Sequence, residues 1–115
     1  MRSLFLVSLF LLGLAASAQP ATAADVRMFV RHEVNDYAVW RKAYNDFDKP
    51  RRNLGVTAQV VYRSAENPND LTVTHDFKSM DQARAFIASP DLKAAMEKAG
   101  VKGAPQLWIT TRAAK

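Results

Sequence analysis

The chain has 115 residues, with 16 Lys and Arg against 11 Asp and Glu, two His, no Cys and a formal net charge of +5. Without Cys, it has no disulfide, thiolate nucleophile, iron–sulfur ligation or CxxC redox chemistry. A hydrophobic share of 49% fits a globular chain, and four Gly and five Pro exclude collagen-like or low-complexity character.

Residues 1–23 have the pattern of a secretory signal peptide. Arg2 supplies the positive n-region and Leu4–Leu14 (LFLVSLFLLGL) the apolar h-region. Ala21-Thr22-Ala23 is a small-residue cleavage pattern, with an alternative cut after Ala18. The apolar run would rise roughly 16 Å as a helix, about half of a bilayer core, so a cleaved leader is expected in place of a span. Residues 24–115 then form a single domain with no stable membrane anchor, in the periplasm or outside the cell.

Val26–Val34 (VRMFVRHEV) is rich in β-branched and aromatic residues and reads as the first strand. Asn35-Asp36 supplies a helix N-cap, and Tyr37, Trp40, Tyr44 and Phe47 recur at helical spacing. Pro50 is expected to kink this helix near Lys49 or to restart it, and Gly55 to stop it. Lys49, Arg51 and Arg52 are the one basic cluster. They read as a solvated helix end, with a phosphate patch as the alternative, and no nucleic-acid partner is expected.

Thr57–Ser64 (TAQVVYRS) reads as strand two, Glu66–Asp70 (ENPND) as a turn and Leu71–Phe77 (LTVTHDF) as strand three. Ser79 and Gln82 have capping-box spacing for a second helix, which Ser89-Pro90-Asp91 interrupts and Gly100 closes. Gly103-Ala104-Pro105 reads as a turn before strand four, Gln106–Thr111. The βαββαβ order predicts an α+β, ferredoxin-like domain with a four-stranded antiparallel sheet in the order 4-1-3-2.

Alternation predicts the two faces of that sheet. Met28, Val30, His32, Val34, Ala58, Val60, Tyr62, Leu71, Val73, His75, Phe77, Leu107 and Ile109 are expected under the helices. Phe29, Arg31, Glu33, Val61, Arg63, Thr72, Thr74, Asp76, Trp108 and Thr110 are expected on the open face. There Phe29, Val61 and Trp108 would form an apolar patch of the kind that marks an interface, so a homodimer through this face is expected. Arg31, Arg63 and Asp76 would supply its ion pairs, an anion site between the two packed sheets being the alternative.

These residues carry a family resemblance. Val30-Arg31-His32 leads into Asp36-Tyr37-x-x-Trp40, then Gly55-Val56, and Val61-Tyr62-Arg63 precedes Asn67-Pro68-Asn69-Asp70. His75-Asp76-Phe77, Ala83-x-Ala85-Phe86 and Leu92-x-x-Ala95-Met96-x-x-Ala99-Gly100-Val101 follow. In these stretches the chain resembles the dimeric α/β barrel superfamily, in particular its small cyclase-like or antibiotic-biosynthesis-monooxygenase-like proteins. The superfamily hosts cofactor-free oxygenases, haem proteins and proteins of no known activity. The similar oxygenases use polar residues, without metal or flavin, to ionise a substrate that then reacts with oxygen. Their motifs involve Asn, Trp and His. Trp40 and the two histidines match by type, and no Asn stands at an inward strand position.

His32 and His75 are the candidate catalytic residues. Each reads either as a core histidine satisfied by one hydrogen bond or as a neutral imidazole that takes a phenolic or enolic proton at a pocket floor. Pairing Val30 with Val73 sets His32 against Leu71 and His75 against Met28, which separates the histidines by roughly 13 Å. That is too far to share one ion, so no metal site is expected, and the resemblance to the cofactor-free oxygenases implies no cofactor. Tyr37, Trp40, Tyr44 and Tyr62 are the candidate substrate-binding residues, although aromatics at helical spacing also serve as plain core. A site of this composition suits a small apolar or aromatic ligand. No P-loop, dinucleotide glycine motif, GxSxG or HExxH is present. Two function classes stay open: a cofactor-independent monooxygenase or cyclase-like enzyme acting on a small aromatic compound, and a non-catalytic protein that binds a small ligand, with haem as a special case.

Overall fold

The computed structural model describes residues 26–115, and the expected leader lies outside them. Strand β1 is Val26–Val34. Helices α1 (Tyr37–Asp46) and α2 (Asp48–Asn53) follow, then strands β2 (Ala58–Arg63) and β3 (Asp70–Phe77). Helices α3 (Met80–Ala88) and α4 (Pro90–Lys98) lead into strand β4 (Val101–Thr111). The sheet order is β2-β3-β1-β4, antiparallel throughout. This is the ferredoxin-like α+β fold, with each of its two helices broken in two.

Local chemistry places the breaks. Asp36 caps α1 through Oδ1, which accepts from the amides of Ala38 and Val39. The break falls at Phe47, earlier than the expected kink near Lys49. Pro50 stands in the first turn of α2, where its missing amide would have had no helical partner. Gly55 ends α2 with φ +108°, a conformation that suits glycine. Ser79 Oγ accepts from the Gln82 amide, and Ser89 Oγ accepts from the Leu92 amide with Pro90 opening α4.

The β1–β3 register is the expected one: Val30 faces Val73, His32 faces Leu71 and Met28 faces His75. Two expectations fail. Strand β4 begins at Val101, so Gly103-Ala104-Pro105 belongs to the strand and is not a turn. Proline and a glycine at φ +66° fit there because β4 is an edge strand whose pairing with β1 shifts register between Arg31 and Glu33. The second failure is the parity of β2. Val61 pairs with Val73, Gln59 with His75 and Arg63 with Leu71. Directly opposed residues share a face, so Gln59, Val61 and Arg63 lie under the helices, and Ala58, Val60 and Tyr62 lie on the open face.

The helix-covered face carries two apolar clusters. One joins Val26, Met28, Val30, Val56, Phe77, Ala83 and Phe86. The other joins Val34, Trp40, Leu71, Val73 and Ala99. The histidines stand beside both.

Candidate functional site

A cavity of about 420 Å³ opens between the covered face of the sheet and the helices. That volume is in the range of small-molecule sites. Its wall takes Val30 and His32 from β1, Val73 and His75 from β3, and Trp40 and Tyr44 from α1. Arg51, Phe86, Leu92 and Met96 close it from the other helices. The first half of β4, through Gly103, Ala104 and Pro105, completes the wall. Leu107 is on the covered face yet 37% exposed, because the helices leave the cavity mouth open beside it.

The aromatic stripe of α1 builds one side. Trp40 is buried and stacks on Tyr44, with ring centroids 4.7 Å apart. Tyr37 stacks on Trp40 at 6.0 Å but is not part of the cavity wall. Its ring instead receives the Arg63 guanidinium, 3.7 Å from the centroid.

The two histidines differ in their partners. His75 Nε2 lies 3.0 Å from the Tyr44 hydroxyl, and its ring packs against Phe86 with centroids 5.2 Å apart. Its Nδ1 is buried and makes no hydrogen bond. Burial, followed by the charge of Arg51, pushes His75 down to about 3, so its imidazole is neutral at physiological pH. Burial likewise pushes the Tyr44 phenol up to about 12. His32 is buried beside Trp40, with ring centroids 6.0 Å apart, and neither of its nitrogens is hydrogen-bonded. Burial lowers its pKa too, but the Asp70 carboxylate opposes that shift. Buried polar atoms almost always find partners, so these three imidazole nitrogens are available to hydrogen-bond water or a small molecule in the cavity. Among the described residues no group of three His, Asp or Glu is placed to hold a metal ion.

Arg51, expected on a solvated helix end, is 2% exposed and lies in the cavity wall. Its guanidinium carbon sits 3.6 Å from the centre of the Tyr44 ring. Its Nε donates to Gln59 Oε1 at 2.7 Å, and Nη2 reaches Asp48 Oδ1 at 3.4 Å. A sequence signal for this position existed. Trp40, Tyr44, Phe47 and Arg51 continue one stripe at spacings of four, three and four, so Arg51 falls on the buried side of the helical segment.

The candidate interface residues divide. Phe29 and Trp108 stack on the open face, centroids 5.3 Å apart and nearly parallel at 4°. Asp76 is buried there and pairs with Arg27, Nε to Oδ1 at 2.6 Å, a partner the residue pattern did not single out. Arg31 pairs with Asp70 instead, Nη2 to Oδ2 at 2.7 Å. Val61 and Arg63 are displaced to the covered face, where Val61 packs beside the Trp40 cluster and Arg63 donates to the Pro68 carbonyl. Tyr62, expected at the ligand, is exposed on the open face.

Solved structures with the same architecture place this fold. A candidate antibiotic biosynthesis monooxygenase from Bordetella bronchiseptica superposes with a TM-score of 0.68 at 15% identity, over 79% of this chain and 99% of its own. SnoaB, a cofactor-independent oxygenase from Streptomyces nogalater, superposes with a TM-score of 0.64 at 16% identity, over 80% of this chain and 97% of its own. A conserved protein from Methanosarcina mazei gives 0.63 at 17% identity, over 79% and 95%. The fold is that of the antibiotic biosynthesis monooxygenases. No family sequence model and no curated protein matches the chain.

Proposed function

We propose that the chain is a cofactor-independent monooxygenase or cyclase-like enzyme acting on a small aromatic compound, exported and working as a homodimer. The observation that carries this reading is His32, an imidazole buried in the wall of a largely apolar cavity with both nitrogens unpaired. A hydroxyl or enol of a flat substrate supplies the missing partner, with Trp40 and Tyr44 offering ring faces for stacking. His32 is the proton acceptor of the two, because Asp70 favours its cation whereas Arg51 opposes that of His75. His75, tied to Tyr44, is then a neutral hydrogen-bonding group. The likeness to SnoaB supports the oxygenase class as an analogy of fold.

Oxygen uptake with a panel of naphthols and quinols tests the reading. Turnover by the wild type, lost in a folded His32→Phe variant, is expected. A wild type that binds these compounds without consuming oxygen would replace this reading with non-catalytic binding. One observation favours that second reading: burial opposes protonation of both histidines, as suits binding groups. Its haem form predicts a Soret band in the purified protein. Export predicts an intact mass lacking residues 1–23, and a full-length chain retained in the membrane would end that part of the proposal.

A further inference from the structure

Resting on the ligand-cavity reading, we propose that Arg51 makes the cavity selective for a flat aromatic ligand bearing an anionic oxygen, either a carboxylate or an ionised phenol or enol. Arg51 is a buried cation with incomplete neutralisation. Its nearest carboxylate, Asp48, stands at a long 3.4 Å. Asp48 Oδ1 also accepts from Gln59 Nε2 at 3.1 Å, and Oδ2 accepts from Arg52. One carboxylate thus serves two guanidinium groups. Removing a guanidinium from water at such partial pairing is costly, and an anion in the cavity would offset that cost.

The rest of the wall leaves Arg51 as the charge that decides. The other charged residues lining the cavity are Lys93 and Glu97 on α4, exposed, of opposite sign and one helical turn apart. Tyr44 and His75 are held as a neutral phenol and a neutral imidazole. Arg51, Tyr44 and His75 form one connected unit, the guanidinium on the ring face and the hydroxyl on the imidazole. A ligand anion in this low-dielectric pocket meets a fixed cation and neutral hydrogen-bonding groups, and no opposing buried carboxylate faces it.

The test compares 2-naphthoate with 2-naphthamide, of nearly the same shape but uncharged, by calorimetry on the purified protein at neutral pH and low salt. The wild type is expected to bind naphthoate at least about tenfold more tightly, as a charge-assisted contact requires. Arg51→Gln should bring the two affinities together, and Arg51→Lys should retain part of the preference. Asp48→Asn should tighten naphthoate and leave naphthamide unchanged, because it removes the competing carboxylate. Equal affinities in the wild type, or a preference that survives in Arg51→Gln, would overturn the proposal and leave the cavity reading standing. Binding of neither compound would overturn both. Should Arg51→Gln fail to fold, Asp48→Asn decides: no gain in the naphthoate preference overturns the assignment.

Discussion

On the open face of the sheet, Arg27 meets Asp76 and Arg31 meets Asp70 across the β1–β3 ladder. On the covered face, His32 has no hydrogen-bond partner, His75 has one, and Arg51 shares its carboxylate with a second arginine. The open face matches its own charges and exposes apolar rings between them. Val60, Thr74, Phe29 and Trp108 form one row across all four strands, and Val60 and Trp108 are each 44% exposed. The covered face hides its polar groups and leaves them incompletely paired. An apolar surface without polar demands suits a flat protein partner, whereas buried unpaired polar atoms around a cavity suit a small molecule.

The largest expected effect breaks the open face. Trp108→Asp places a charge at the β4 end of the row, against the Phe29 ring, and should convert the proposed dimer to monomer or aggregate. Light scattering measures this, and a wild-type monomer at micromolar concentration would remove the dimer altogether.

Acidification should strain the covered face. The folded-state pKa of His75 is about 3, against 6.5 for the free imidazole. Between those values the unfolded chain binds a proton that the folded chain refuses, so stability falls as pH falls. The slope is at most roughly 1.4 kcal/mol per pH unit for this group, with a loss on the order of 3 kcal/mol by pH 4. Urea titrations from pH 7 to 4 should show this loss, and it should shrink in His75→Phe. An unchanged slope in that variant would assign the acid sensitivity elsewhere.

The smaller effects separate the histidines. At pH 7, His75→Phe should cost roughly 1–3 kcal/mol, because the Tyr44 hydroxyl loses its partner inside the protein. His32→Phe breaks no hydrogen bond and should change stability by less than about 1 kcal/mol, toward greater stability, while ligand binding is lost. Equal costs for the two variants would make His32 a core residue like any other.

Much of this was legible in the residues. The caps at Asp36, Ser79 and Ser89, the stop at Gly55, the β1–β3 register and the placement of both histidines under the helices follow from local hydrogen-bonding groups and a period of two. The parity of β2 did not. Val61 on one face and Val60 with Tyr62 on the other make both assignments look apolar, and a slip of one residue exchanges them. What decides is tertiary: Gln59 bonds to Arg51 and Arg63 lies on the Tyr37 ring, contacts available only once the helices are in place. The same holds for Arg51, whose composition says surface and whose packing against Tyr44 says interior. Local sequence set the helix caps and the stop at Gly55, because those groups bond within a few residues of themselves, whereas the start of β4 at Val101 came from its pairing with β1. Which polar side chains would share a dry cavity was decided by strands and helices distant in sequence, because only their packing fixes what each buried group meets.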